Sequence, residues 1–238
     1  LEFGAQTDAS IVAAQDWLNA RRVLSTGQVL EHLARKVAPR RLVVPASACA
    51  MRPMDLRRLH TQLPDAALLH VVRHPWTQGC LLAAWARDRL FVPPDYKDHR
   101  LSPAPAVVDP QIAWVRANAN IEALLRLDGV SARRVQIEQI DAELGTLSQL
   151  LGQWLKLDGG PAAQEAMTQP ECWVFAGHGP RAAPYGLEAE VLEALPEVDV
   201  RLAEQAQLHG ALPWREDGQT FAPETLAMAQ RYGYAPLV

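Results

Sequence analysis

The stretch LLHVVRHPWTQGCLLAAW, residues 68–85, contains an apolar run that ends at Arg73 and a helical pattern of apolar residues that begins just after it. The run Ala67–Val72 fits a strand that is buried on both faces of a parallel sheet. Pro75 suits the first position of a helix, and the following pattern predicts a helix over Pro75–Arg87. Arg73 therefore ends a strand beside a helix N-terminus, where parallel sheets bind ligands and helix amides favour anions. Because a guanidinium is suited to phosphate, the sequence predicts an anion site at Arg73.

Strands and helices alternate along much of the remaining chain. Hydrophobic periodicity predicts further strands over residues 41–44 and 134–137, and helices over Asp8–Asn19, 25–38, Pro53–Gln62, 111–127, 144–155, 188–195 and 224–232. This order indicates an α/β fold, a three-layer sandwich with a short parallel sheet. We expect one domain over residues 1–238, with a helical N-terminal part (1–40), an α/β core (41–158) and a loop-rich C-terminal part (159–238). His70, in the middle of the apolar run, is expected to be a hydrogen-bonded core residue.

The composition argues against several classes of function. With 238 residues, 49% of them hydrophobic, the chain can bury a large core. A net charge of -4 and a pI near 6.0 argue against nucleic-acid binding, which normally requires a basic stripe. No apolar run is long enough to cross a membrane. The three cysteines (Cys49, Cys80 and Cys172) and the histidines lack metal-binding spacing, so we expect reduced thiols, a cytoplasmic location and no metal.

Four segments together resemble PAPS-dependent sulfotransferases, of the bacterial kind found alone or within polyketide and peptide synthetase lines. The most specific is LVVPASACAMRPMDLRRLHTQLPDAALLHVVRHP, residues 42–75. Residues 114–121 resemble the family's W-x-x-x-N-x-x-I helix, and residues 133–140 resemble its R-x-x-Y-E-D-L strand end, with Glu138 on the family glutamate. FAGHGPRAAPYG, residues 175–186, resembles a late loop near the nucleotide. The similarity covers about residues 25–190 and implies a P-loop-NTPase-like sulfotransferase fold.

The resemblance implies a cofactor and the residues that would bind it. The cofactor is PAPS or its product adenosine 3′,5′-bisphosphate, and Arg73 would bind the 3′-phosphate. A family serine that shares this role falls on Leu81, beside Cys80, so Thr77 and Gln78 are the nearest polar candidates. The late loop would add His178 and Arg181 to the cofactor-binding set. His74 is a candidate general base, with a structural role as its alternative, and Glu138 is expected to be mainly architectural.

Two family features have no counterpart in this sequence. The charged E-K-S-P loop aligns with Val44, Pro45, Ala46 and Ser47, which supply neither a carboxylate nor an ammonium group. The phosphosulfate loop, P-x-S-G-T-T, has no match in residues 1–39. The fold is therefore expected to be truncated or degenerate. Since the chain opens with Leu-Glu-Phe rather than Met, we also expect it to begin inside a longer gene product or after a cleavage.

Two functions follow as hypotheses. In the first, the protein transfers a sulfuryl group from PAPS to the hydroxyl or amine of a small-molecule or carrier-bound acceptor, with the phosphosulfate loop supplied upstream. In the second, it is catalytically inactive and its sulfotransferase fold binds a ligand or a partner. A sheet without its first strand exposes backbone groups, so we expect a partner chain, a second copy, an upstream segment or the N-terminal helices to fill the gap.

Overall fold

The computed structural model describes residues 7–44, 46–87, 92–99, 106–168 and 204–234. Its helices are α1 (Asp8–Asn19), α2 (Thr26–Val37), α3 (Ser47–Ala50), α4 (Pro53–Gln62), α5 (Pro75–Arg87), α6 (Pro110–Leu125), α7 (Glu138–Leu155), α8 (Pro161–Thr168) and α9 (Pro223–Arg231). Its strands are β1 (Ala67–Val72), β2 (Lys97–Asp98), β3 (Val107–Val108) and β4 (Ser131–Gln136), and a 3-10 turn covers Pro94–Tyr96. In the described part of the chain, no helix is long and apolar enough to cross a membrane.

The chain divides into two compact units. The first comprises Leu1–Pro45, Leu59–Pro64 and Leu144–Glu197; the second comprises Ala46–Arg58, Asp65–Glu143 and Val198–Val238. The strands of the parallel sheet and Arg73 belong to the second unit. The predicted single domain with its three parts stays a prediction.

The parallel sheet pairs β1 with β4, from Ala67 beside Ser131 to Val72 beside Gln136. The pairing continues past the strand end, because the Ile137 N–H donates to the Val72 carbonyl at 2.9 Å. A parallel pair requires a crossover, which here includes α5 and α6. The predicted α/β class and short parallel sheet are confirmed. β2 and β3 form a separate antiparallel pair within a proline-rich segment, residues 92–109, that precedes α6.

The prediction that β1 is buried on both faces is wrong. His70 and Val72 point to one face and are buried, whereas Leu69 and Val71 point to the other and are 43% and 49% exposed. Successive strand side chains alternate between faces, so this pattern means that one face of β1 is covered more completely than the other. A run of apolar residues cannot by itself distinguish these two situations.

Residues 41–44 do not form the predicted strand. They have no regular structure, and Val43 is 80% exposed. Their β-branched composition favours a strand, but a strand is stable only when a neighbour pairs with it, and no such neighbour occurs among the described residues. By contrast, the predicted helices Asp8–Asn19, Pro53–Gln62 and Pro75–Arg87 are confirmed with those bounds.

The core of the second unit packs α5 against the C-terminal part of the chain. Trp76 and Trp114 are buried together with a group of apolar side chains, which comprises Val72, Leu208, Leu212, Phe221, Met228, Ala229, Tyr232 and Tyr234. Gly79 permits this packing. A Cβ atom there would lie 2.1 Å from Cη2 of Trp214, closer than any atoms can approach without displacement of the ring. The glycine therefore allows the indole of Trp214 to lie directly against the backbone of α5.

A buried ion cluster joins the proline-rich segment to the C-terminal part. The Arg215 side chain is fully buried and its Nη1 donates to Asp109 at 3.1 Å and to Asp98 at 3.4 Å. Asp217 forms a further ion pair with Nη2, and this hydrogen bond raises the pKa of Arg215. Asp109 also accepts from the Trp214 indole at 3.2 Å. Buried charges require such partners, so the cluster fixes the segment that leads into α6.

Two helices of the first unit begin with capping residues. Thr7 caps α1 by accepting from the Ser10 N–H, and Ser25 and Gln28 form a reciprocal capping box at the start of α2. Gly27 lies so close to Gln62 that an added Cβ would be 2.6 Å from the Gln62 Cβ. The predicted helix over residues 144–155 is the second part of α7, which begins earlier, at Glu138, and bends at the non-helical Glu143.

Candidate anion site

Arg73 lies at the carboxyl end of β1, one residue before the residue that caps α5, and is partly exposed. Its carbonyl oxygen accepts a hydrogen bond from the Trp114 indole N–H at 3.0 Å. Trp114 is buried on α6, in the motif that resembles W-x-x-x-N-x-x-I. The resemblance thus identified a residue whose contact in this structure fixes the backbone of Arg73.

His74 is the N-cap of α5. Its ring Nδ1 accepts from the Trp76 backbone N–H at 3.1 Å, which satisfies one of the unpaired amides of the first helical turn. The ring is buried, and burial lowers the pKa of His74 to about 4, so the imidazole is neutral near pH 7. Because Nδ1 is the acceptor, the single proton lies on Nε2. In this state the ring can donate at Nε2 but cannot accept a proton there.

Glu138, the first residue of α7, links three parts of the second unit. Its Oε1 accepts from the His74 backbone N–H at 2.6 Å, and its Oε2 accepts from the Tyr234 hydroxyl at 2.9 Å. The Tyr234 ring packs edge-on against the His74 ring, with the centroids 4.9 Å apart. Burial and Glu138 raise the pKa of Tyr234, whereas Arg73 acts in the opposite direction. These contacts give Glu138 the architectural role that the resemblance implies.

Tyr234 is the residue of this site that the sequence analysis missed. It lies 96 residues from Glu138 in the chain, in a segment with no strand–helix pattern. Gly233, which precedes it, has a φ of +86°, and the Tyr234 N–H donates to the Ala229 carbonyl at 3.0 Å. The only local signal is glycine just after a helix, which is typical of a helix C-terminus and indicates nothing about a distant glutamate.

Thr77 and Gln78, the predicted cofactor-binding residues, differ in their accessibility. Thr77 is 1% exposed, and its hydroxyl has no hydrogen-bond partner among the described residues. Gln78 is partly exposed, and its backbone N–H donates to the His74 carbonyl at 2.9 Å. Nearby Cys80 is partly buried, and burial raises the pKa of its thiol, so it is a weak nucleophile.

The other two predicted cofactor-binding residues, His178 and Arg181, lie outside the described residues, as does the predicted helix over 188–195. Their proximity to Arg73 stays a prediction. No group of three or more potential metal ligands occurs within residues 7–44, 46–87, 92–99, 106–168 and 204–234.

A hydrogen-bonded layer supports β1 behind the site. His70 is buried, and its Nε2 donates to Asn118 Oδ1 at 2.8 Å, while its Nδ1 accepts from Arg134 Nε at 3.3 Å. The Arg134 guanidinium lies 3.9 Å from the centre of the Tyr232 ring, a cation–π contact. The prediction that His70 is a hydrogen-bonded core residue is confirmed. Burial lowers the pKa of His70, as expected for a neutral ring with this pattern of partners.

A cleft in the described residues is separate from Arg73. It has a volume of about 500 Å³ and lies against α6, where Lys97, Gln111, Arg116 and Thr225 contribute to its walls. Gln111 and Arg116 of α6 line this cleft, whereas Trp114 and Asn118 of the same helix contact β1 and the residue that follows it. The cleft therefore does not extend the anion site.

Comparisons with known proteins support the fold. No family model matches the sequence, and no curated protein matches it significantly. A solved structure, the sulfotransferase domain from the curacin biosynthetic pathway, matches with a TM-score of 0.64 and 20% sequence identity. The match covers 97% of this chain and 75% of that domain. The fold is that of a sulfotransferase domain.

The sulfotransferase fold agrees with the expectation drawn from residues 42–75. At 20% identity the likeness concerns the fold alone. Within that fold, the described residues form one strand-end site in which Arg73, His74, Trp114, Glu138 and Tyr234 are brought together.

Proposed function

We propose that this sulfotransferase-fold protein binds the 3′-phosphate of PAPS or adenosine 3′,5′-bisphosphate through Arg73. The observation that carries the proposal is the position of Arg73 at the carboxyl end of a parallel strand, with its peptide group fixed from two sides. A phosphate dianion is favoured by a guanidinium and by the positive end of a helix, and α5 begins two residues later. The match of the fold to a sulfotransferase domain supports the choice of ligand.

The residues that follow Arg73 fit this ligand in part. Gln78 is partly exposed, and its side-chain amide can donate a hydrogen bond to phosphate. The Thr77 hydroxyl has no hydrogen-bond partner among the described residues, but burial limits its access to a ligand. His178 and Arg181 belong to the proposed set only through the resemblance of their loop. When bound, PAPS would supply the sulfuryl group, and the acceptor would be a hydroxyl or amine of a small or carrier-bound molecule. We place this activity in the cytoplasm, where the thiols of this chain would stay reduced.

A second candidate is a binding protein without transfer activity. The observation that favours it is the role of His74, whose Nδ1 is occupied by the Trp76 N–H and whose Nε2 carries the proton. A general base must accept a proton, and this ring is not arranged to do so. In addition, the segment aligned with the charged family loop holds Val44 and Pro45 in place of its glutamate and lysine. Both candidates share the anion site and differ in whether transfer occurs.

Calorimetric titration of the 238-residue chain with adenosine 3′,5′-bisphosphate tests the shared part. We expect micromolar binding, and a loss of about 30-fold or more in Arg73→Ala, since a charge-assisted contact to phosphate contributes about 2 kcal/mol or more. Arg126→Ala is the matched control, because Arg126 is exposed and pairs only with Glu122 among the described residues. Equal affinity in the Arg73 and Arg126 variants, or no binding by the unmodified chain, would overturn the proposal.

A transfer assay then separates the two candidates. Radiolabelled PAPS is incubated with the protein and a panel of hydroxyl and amine acceptors, and sulfated product is separated from PAPS. Product that depends on both protein and Arg73 supports the transferase. Binding without product across the panel, in a preparation that binds adenosine 3′,5′-bisphosphate, supports the binding protein.

A further inference from the structure

The peptide group between Arg73 and His74 is held at both of its polar atoms. The Arg73 carbonyl accepts from Trp114 on α6 at 3.0 Å, and the His74 N–H donates to Glu138 on α7 at 2.6 Å. A peptide group is planar, so its carbonyl oxygen and its N–H move together when the backbone rotates on either side. Any such rotation breaks at least one of the two hydrogen bonds. The two side chains therefore fix the direction in which the Arg73 side chain leaves the backbone.

One of these two anchors depends on the end of the chain. Glu138 uses Oε1 for the His74 N–H and Oε2 for the hydroxyl of Tyr234, at 2.9 Å. Tyr234 is itself fixed, because it is buried and its ring lies edge-on against the His74 ring. Its backbone N–H is bonded to Ala229, and the carbonyl of Tyr232 accepts from the Gln136 amide. The C-terminal turn, which follows α9 and includes Tyr232 and Tyr234, is thus hydrogen-bonded to the end of β4. It places the Tyr234 hydroxyl against Glu138.

Loss of this hydroxyl would free one carboxylate oxygen in a partly buried place. Such an oxygen seeks another donor, since an unsatisfied charged acceptor is costly. A carboxylate that turned towards another donor would release the His74 N–H and with it the peptide group that carries Arg73.

We propose that Tyr234 is a positioning residue of the anion site: by holding Glu138, it fixes the peptide group that presents Arg73. This inference rests on the proposed function of Arg73. It makes the C-terminal turn part of the phosphate site, although Tyr234 acts on the ligand only through Glu138 and Arg73. By linkage, an anion bound at Arg73 also stabilises the docked position of Tyr234.

The test compares two ligands that differ by the 3′-phosphate. The affinity for adenosine 3′,5′-bisphosphate is divided by the affinity for adenosine 5′-phosphate, measured by calorimetry with the full chain. A general loss of folded protein lowers both affinities equally and leaves this ratio unchanged, whereas misplacement of Arg73 lowers the ratio. We expect Tyr234→Phe to lower the ratio about tenfold, as is typical for groups that orient a ligand-binding residue.

Two further variants keep the test decisive. Glu138→Ala removes both of the oxygens that hold the His74 N–H and the Tyr234 hydroxyl, and we expect it to lower the ratio as Tyr234→Phe does. Tyr232→Phe is the matched control, since it removes a hydroxyl from the neighbouring tyrosine, which packs against His70 and Arg134 instead. We expect the control to leave the ratio unchanged. In an Arg73→Ala background, Tyr234→Phe should have no further effect, because its action passes through the arginine.

The outcomes separate this inference from the proposed function. If Arg73→Ala sharply lowers the ratio while Tyr234→Phe and Glu138→Ala leave it unchanged, the positioning role is wrong and the phosphate site stands. If Tyr234→Phe lowers the ratio further in the Arg73→Ala background, the tyrosine does not act through Arg73, and the inference is also wrong. If Arg73→Ala leaves the ratio unchanged, the proposed function itself fails and the inference fails with it.

Discussion

Arg73 and Arg215 both lie in the second unit, but the structure holds them in different ways. The guanidinium of Arg215 is fully buried and bonded to Asp98, Asp109 and Asp217. Arg73 is partly exposed, and its peptide group is hydrogen-bonded to Trp114 and Glu138. A buried guanidinium surrounded by carboxylates is a structural element, whereas an arginine positioned through its backbone can present its side chain to a ligand.

Removal of the buried cation should have the largest effect. Arg215→Met leaves the Asp98 and Asp109 carboxylates buried without their cation, and we expect a loss of about 3–5 kcal/mol in the free energy of unfolding. Urea titration followed by tryptophan fluorescence measures this loss. Arg116→Met is the control, because Arg116 pairs with Asp95 at a partly exposed position and should lose less than about 1 kcal/mol. Similar losses in the two variants would contradict the structural role assigned to the cluster.

A substitution in α5 probes the packing between the two arginine regions. Trp214 lies against Gly79 and donates to Asp109, so it joins α5 to the ion cluster. Gly79→Ala places a methyl group where the indole lies, and we expect a loss of about 2–3 kcal/mol, measured by the same titration. Gly145→Ala is the matched control, because α7 leaves room for its methyl group, 3.7 Å from the nearest atom. That variant should gain about 0.5–1 kcal/mol from helix propensity, and a gain in both variants would contradict the close packing.

The pH dependence of stability should report on the Arg73 region. The pKa of His74 is lowered to about 4, below its usual value near 6.5, so the unfolded chain binds the proton more tightly. The contribution of His74 is therefore complete above about pH 6.5 and is lost as the pH falls towards 4. We expect this loss to be about 3 kcal/mol, from a pKa difference of about 2.5 units at about 1.4 kcal/mol each. His70, whose pKa is also lowered, contributes in the same direction.

His74→Asn isolates that contribution. Asparagine keeps a helix-capping side chain but does not titrate, so the slope of stability against pH between 6.5 and 4 should become shallower. Urea titrations at a series of pH values give the slope. An unchanged slope would mean that His74 is not the buried neutral cap described here.

Much of the fold follows from local signals in the sequence. Pro75 marks the start of α5, Ser25 and Gln28 mark the start of α2, and each of these signals acts over one helical turn. His70 could be predicted as a core residue because it interrupts an apolar run without ending it. These signals suffice because helix caps are determined by neighbouring residues.

Features that depend on distant partners could not be predicted. Residues 41–44 have the composition of a strand, but whether they pair is decided elsewhere in the chain. The exposed face of β1 depends in the same way on what covers Leu69 and Val71. For the site, the sequence identified Arg73 from its place between a strand and a helix, and Glu138 through a resemblance. The hydrogen bond between Glu138 and Tyr234 spans 96 residues and has no sequence signature.

Trp114 and Glu138 hold the Arg73–His74 peptide through main-chain atoms, which every residue type provides. Evolution could therefore exchange the amino acid at position 73 without rebuilding the loop that carries it. The side chain of a lysine, glutamine or serine at this position would leave the backbone at the same point and in the same direction. Each would favour a different ligand. A scaffold of this kind separates the placement of a functional group from its chemical identity, so new ligand preferences can arise by single codon changes.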